Sequence, residues 1–182
     1  IDECVGRIIT LAEKVCGDKR KVTFSAEQRH NRAVEIAKES LVLLKNEGVL
    51  PIKKGVKKVA VFGEFAQNPP VGGGGSSFVN TAYKQKNIAE YLKESGECEV
   101  YYRSVFTQNF IFGKKMIAEH GSDADLVILC VGEDKTTVAE GFDRQTLKLS
   151  PLQEDMIISA AAINPNIAVV LFGGGAIDTS AW

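Results

Sequence analysis

Long hydrophobic runs are missing from this sequence, and so is any surplus of charge. The longest apolar stretches are strand-sized, well short of the roughly 20 residues a helix needs to cross a bilayer, and no basic-plus-apolar leader opens the chain. With 22 basic against 23 acidic side chains, a formal net charge of −1, little is left to neutralise a phosphate backbone or an anionic surface. Neither nucleic acid nor membrane is therefore expected as a partner. The four cysteines, at 4, 16, 98 and 130, show no C-x-x-C spacing and no pairing with histidine of metal-site type. No metal is expected, and they read as buried free thiols. That reading leans toward a reducing, cytoplasmic compartment. A secreted or periplasmic one stays open, because the chain starts at Ile1 without an initiator Met and stops just after a strand and a glycine cluster, as a piece of a longer protein would.

What is present is material for one well-packed domain: 182 residues, 45% of them hydrophobic. Val5, Ile8, Ile9, Ala12 and Val15 fall at helical spacing up to Gly17. Ser25 followed by Gln28 is a capping-box signature for a second helix, whose apolar stripe, Ala33, Ile36, Ala37, Leu41 and Leu44, predicts about five turns. From there strands and helices alternate. Strands are predicted at 57–63, 98–106, 125–132 and 166–173, and helices at 86–95, 113–121 and 151–164, the last with Ser150 as N-cap, Pro151 at its first position and Gln153 as N3 partner. Strands that are apolar throughout need cover on both faces. The fold class is therefore α/β, a mostly parallel sheet sandwiched between helices. In such sheets ligands gather outside the carboxyl ends of the strands, so the loops 63–85, 132–149 and 173–182 should share one functional edge.

Three stretches on that edge, and two histidines, compete for a role. The run PPVGGGGSS (69–77) lets backbone N–H groups approach an anion, but it lacks both the G-x-G-x-x-G spacing and a Gly-Lys-Ser/Thr ending; a tight glycine turn is the plainer reading. GGGAIDTSAW (173–182) also reads as a turn, with Asp178 a cap or a surface charge. His30 and His120 stand in no triad order and read as surface or interface residues. The loop VGEDKTTVAEGFDRQTLKLS (131–150) differs, because Glu140 is followed by Gly141, which leaves room for a substrate, and by Asp143-Arg144, an acid and base able to brace the loop. A general acid must hold its proton at working pH, which takes burial or a like charge nearby; Glu133 and Asp134 are candidates for that neighbour.

The runs KESLVLLKNEGVLPIKK (38–54), KKVAVFGEFA (57–66), GGGGSSFVN (72–80), VGEDKTTVAEGFDRQTLKLS and LQEDMIISAAAINPNIAVVLFGGGAIDTSAW (152–182), in this order, resemble the second domain of family 3 glycoside hydrolases. The resemblance implies an N-terminal (β/α)8 barrel that carries an aspartate nucleophile and an α/β sandwich that lends the acid/base glutamate. On that reading residues 1–24 are the last barrel helix and linker, 25–182 the sandwich, incomplete at its C-terminus, and the barrel is missing. The family's E-G-x-D-R loop falls on Glu140, Gly141, Phe142, Asp143 and Arg144, which makes Glu140 the acid/base, with Glu133 the fallback. Gly74, Gly75, Ser76 and Ser77 would flank the substrate. The implied activity is retaining hydrolysis of a terminal β-linked sugar, β-D-glucoside before β-xyloside, with no cofactor. The implied partners are the carbohydrate and the missing barrel domain, without which the chain should be inactive. A non-catalytic carbohydrate-binding or nucleotide-binding α/β module is the competing class.

Overall fold

The computed structural model describes residues 1–17, 23–72, 75–81, 85–104, 110–133, 138–141 and 144–182. The chain divides into two compact units, Ile1–Lys45 and Asn46–Trp182.

The first unit holds helix α1 (Asp2–Gly17) and helix α2 (Ala26–Glu39). The capping box forms as expected: the Gln28 amide donates to the Ser25 hydroxyl at 3.1 Å, and the Ser25 amide donates back to Gln28 Oε1 at 2.9 Å. The stop is earlier than the stripe predicted. The Ser40 hydroxyl and amide both bond the Ile36 carbonyl, at 2.7 and 3.0 Å, so the terminal carbonyl is satisfied locally and the chain leaves the helix before Leu41. Leu41 and Leu44 therefore stand outside it, both well exposed. Cys4 and Cys16 on α1 are exposed, Cys98 is half-buried and Cys130 is buried, so the expectation of buried thiols holds for Cys130 alone. Burial there pushes its thiol up to about 12.

The second unit is a four-stranded parallel sheet in the order β2-β1-β3-β4, built from β1 (Lys58–Phe62), β2 (Glu99–Arg103), β3 (Leu126–Gly132) and β4 (Ile167–Phe172). Helix α3 (Ile88–Ser95) connects β1 to β2. Helix α4 (Phe110–Met116), continued by a wide π turn over Ile117–Gly121, precedes β3, and α5 (Pro151–Ile163) connects β3 to β4. The central strand β3 is buried at every residue because its alternating side chains feed two cores. On one face Val127, Leu129 and Val131 pack with Ala60, Phe62, Ile117, Met156, Ile157 and Ala160. On the other Leu126, Ile128 and Cys130 pack with Val59, Val61, Phe65 and Ala66, with Ile88 and Leu92 of α3 beside them. Each fully buried large side chain contributes about 1.5–3 kcal/mol of transfer free energy, which is why the hydrophobic runs specify a sheet covered on both faces.

Two polar details differ from expectation. Ser150 accepts the Gln153 amide at 3.3 Å as an N-cap should, but the Gln153 side chain does not close a capping box; its Nε2 donates to the Gly132 carbonyl at 3.0 Å. His120 is half-buried rather than on the surface, stacked on Tyr101 with ring centroids 3.6 Å apart.

Candidate active site

The sheet order creates one special place. After β1 the chain turns outward to β2, and after β3 it turns the other way to β4, while β1 and β3 lie side by side. Their connections diverge at the carboxyl ends, the switch point at which open α/β sheets bind ligands.

Two loops meet there. From β1, the chain passes through short 3₁₀ turns at Glu64–Ala66 and Gly75–Ser77. From β3 comes the loop carrying the carboxylates. Ser76 donates its hydroxyl to Glu140 Oε2 at 2.7 Å and its amide to the same oxygen at 3.4 Å. The glycine-rich run thus does place donors on an anion, and that anion is the protein's own Glu140. Gly74 and Asp143 lie outside the described residues; Ser77 is exposed beside Ser76. Gly141 turns with φ +84°, and among the described residues a side chain there would meet nothing within 4 Å, so the backbone next to Glu140 uses glycine's left-handed freedom.

Glu133 and Glu140 occupy opposite environments. Glu133 is the first residue beyond β3, its amide donating to Phe172 O at 3.0 Å, and both of its side-chain oxygens are engaged. Oε1 is paired with the Arg144 guanidinium, and Oε2 accepts the Gly174 amide at 3.2 Å. Glu140 is exposed, with Ser76 on one oxygen. The Ser76 hydroxyl, and then its amide, hold the Glu140 carboxyl below the usual glutamate range, because donors to the charged form favour it. Glu133 is not the like charge that would raise it: its own charge is taken up by Arg144.

Arg144 braces the loop, and its partners are Glu133 and the Ala176 carbonyl, the latter at 2.9 Å. The 173–182 stretch, read as a plain turn, therefore contributes to the site's foundation. Asp178 acts as a local cap, accepting the Ser180 amide at 2.9 Å. Gly132 is not singled out by the sequence, and Gln153, expected only as an N3 partner, bonds the Gly132 carbonyl instead. A Cβ on Gly132 would stand 2.0 Å from the Phe172 carbonyl oxygen, so only glycine lets β3 end against β4 in this way. The signal was available: a glycine closing the most apolar strand. No group of three or more His, Cys, Asp or Glu side chains suited to a metal ion occurs among the described residues, and no described helix is long and apolar enough to cross a membrane.

Residues 41–182 match the family model for the glycosyl hydrolase family 3 C-terminal domain. An exo-alpha-(1->6)-L-arabinopyranosidase of Bifidobacterium breve is 31% identical over 176 residues, 87% of this chain and 22% of that protein. Thermostable beta-glucosidase B of Acetivibrio thermocellus is 30% identical, over 98% of this chain and 24% of that protein. An exo-1,4-beta-xylosidase of Emericella nidulans is 32% identical, over 82% and 19%. Among solved structures, a GH3 beta-glucosidase of Bifidobacterium adolescentis superposes with a TM-score of 0.78 at 32% identity, covering 88% of this chain and 24% of that one. The chain thus spans 22%, 24% and 19% of the length of these three relatives.

Proposed function

The chain belongs to glycoside hydrolase family 3 through its C-terminal domain, and from that premise we propose that it is the acid/base-bearing part of a retaining exo-glycosidase, with Glu140 as the proton donor. The contact of Ser76 with Glu140 across the switch point carries the reading. It holds a carboxylate at the one edge of the sheet where ligands collect, next to a glycine whose Cβ position meets nothing within 4 Å among the described residues.

The nucleophile belongs to the barrel domain, whose last helix is α1. Retaining chemistry asks for two carboxyl groups about 5–5.5 Å apart: one attacks the anomeric carbon, while Glu140 protonates the departing oxygen and then deprotonates the water that releases the sugar. The acid step needs the protonated carboxyl. In this chain the Ser76 contact favours the charged form, so the proposed mechanism asks the barrel to cover Glu140, where burial beside a second carboxylate would raise its pKa. Division of the chemistry between two domains makes docking a condition of activity.

The relatives are named for β-glucosides, β-xylosides and α-L-arabinopyranosides. These pyranosides share an equatorial glycosidic bond, and such a bond is the substrate feature a single acid/base geometry selects. β-D-Glucoside is the first choice, in keeping with the glucosidases among the matches. β-Xyloside is the second. The partners are the carbohydrate and the barrel domain. The test compares the 182-residue chain with the complete enzyme on aryl β-glucoside, β-xyloside and α-L-arabinopyranoside. We expect no turnover by the chain alone, and hydrolysis with retained anomeric configuration by the complete enzyme. Turnover by the chain alone, or inversion, contradicts the reading.

A further inference from the structure

The Glu133–Arg144 ion pair is withdrawn from solvent, its side chains 11% and 23% exposed, whereas Lys58–Asp123 and Lys86–Glu94 stand at 47% or more. Exposed pairs of the latter kind contribute little, but a sheltered pair is costly to leave half-made. The location of this one shows what it holds. Glu133 is the first residue beyond β3 and Arg144 follows Glu140 by four positions, so their contact closes the neck of the loop that carries Glu140. The same Arg144 nitrogen reaches the Ala176 carbonyl, and the second Glu133 oxygen takes the Gly174 amide. The neck is thereby tied to the segment leaving β4. That segment passes close: a Cβ on Gly173 would lie 2.6 Å from Ile177 Cδ1 and one on Gly175 3.1 Å from Arg144 Nη2, both ends of side chains that would have to shift.

We propose that Glu133 and Arg144 are positioning residues, whose ion pair, anchored on Gly174 and Ala176, sets where the Glu140 carboxyl stands relative to the scissile oxygen. This rests on the reading of Glu140 as acid/base and assigns Glu133 a different task from proton transfer. With both oxygens of Glu133 occupied, neither presents a proton to a substrate. Proton transfer needs hydrogen-bond reach of the leaving oxygen, and a displacement of about 1 Å costs about 10²-fold in rate. Loss of the clasp therefore damages the step that depends on protonation and spares the step that does not.

The experiment uses the complete enzyme with Glu133→Gln, Arg144→Lys, the double variant, and Glu140→Ala in parallel. Each is assayed on aryl glycosides of the preferred sugar, with leaving groups from 2,4-dinitrophenol to phenol. For either clasp variant kcat/KM should fall about 10²-fold on the phenyl glycoside and less than about 10-fold on the dinitrophenyl one. The double variant should lose no more than the worse single, since the two side chains act as one unit. If a single variant does not fold, the Glu133→Gln/Arg144→Gln pair, which leaves no lone charge, must show the same leaving-group dependence. A uniform loss across all leaving groups, or none, overturns the positioning role while the steep dependence of Glu140→Ala keeps the acid/base reading. If Glu133→Gln is steep and Glu140→Ala is flat, Glu133 is itself the acid and both readings fall.

Discussion

At the amino ends of the strands the chain turns back at once, from Ser95 to Glu99, from Gly121 to Leu126 and from Ile163 to Ile167, whereas at the carboxyl ends of β1 and β3 it wanders from Phe62 to Ile88 and from Gly132 to Pro151 before the next helix. The short side is closed by its own polar groups. Asp125 accepts the amides of Lys57 and Lys58 at 2.7 and 2.9 Å, which fixes the start of β1 against β3. Buried Asn164 donates to the carbonyls of Gly121 and Ala124 at 2.8 and 2.7 Å and accepts the Asn166 amide at 2.8 Å. Every polar atom of that side chain is spent on holding the chain together. On the long side Glu133 and Arg144 are spent likewise, but Ser76 and Glu140 remain at the surface. One edge of the sheet is closed by its own polar groups, while the other leaves a carboxylate at the surface on loops held by the scaffold.

The comparison breaks most visibly at its stable edge. Asn164→Ala strips two carbonyls and an amide of their partner, and a buried group left unsatisfied costs about 1–3 kcal/mol. We expect about 2–3 kcal/mol of lost stability in urea denaturation. The edge carrying Glu140 should be unaffected, so its carboxyl should titrate as before. A loss within measurement error would mean that the short connections do not secure the sheet.

A gentler change sharpens the other side. Ser76→Ala removes the hydroxyl donor to Glu140 and should raise that carboxyl toward the ordinary glutamate range, read by NMR titration of this chain, while at neutral pH the melting midpoint falls only slightly because the contact is exposed. The sign follows from the direction of the shift. Since the folded-state value is depressed, the contact stabilises the fold at pH values above the ordinary glutamate range, and that contribution fades as pH falls through the lowered value. An unchanged titration would show that Ser76 does not govern Glu140.

Much of this was legible before any coordinates, for identifiable reasons. The run LVILCVG could only be a strand covered on both faces, and Ser25-x-x-Gln28 announced its helix, because both signals are local. The divergence of the loops after β1 and β3 follows from strand order, which alternation alone does not specify. The partner of Arg144 was not legible: the adjacent Asp143 suggested itself, whereas Glu133 is brought close by the end of β3. Gln153 resembled half of a capping box and instead holds Gly132, since a side chain at a helix start can serve the helix or the neighbouring strand. The end of α2 was missed because the stripe continues through Leu41 and Leu44, while the Ser40 hydroxyl competes for the helix carbonyl.

The most direct test is Glu140→Ala in the complete enzyme, assayed on an activated aryl glycoside of the preferred sugar with and without azide. An activated leaving group departs with little protonation, so the first step survives while the second loses its base. Turnover should fall about 10²–10⁴-fold, and azide should restore it with release of a glycosyl azide of retained configuration. Near-normal turnover without azide, or a loss that azide does not relieve, would contradict the assignment of the proton to Glu140.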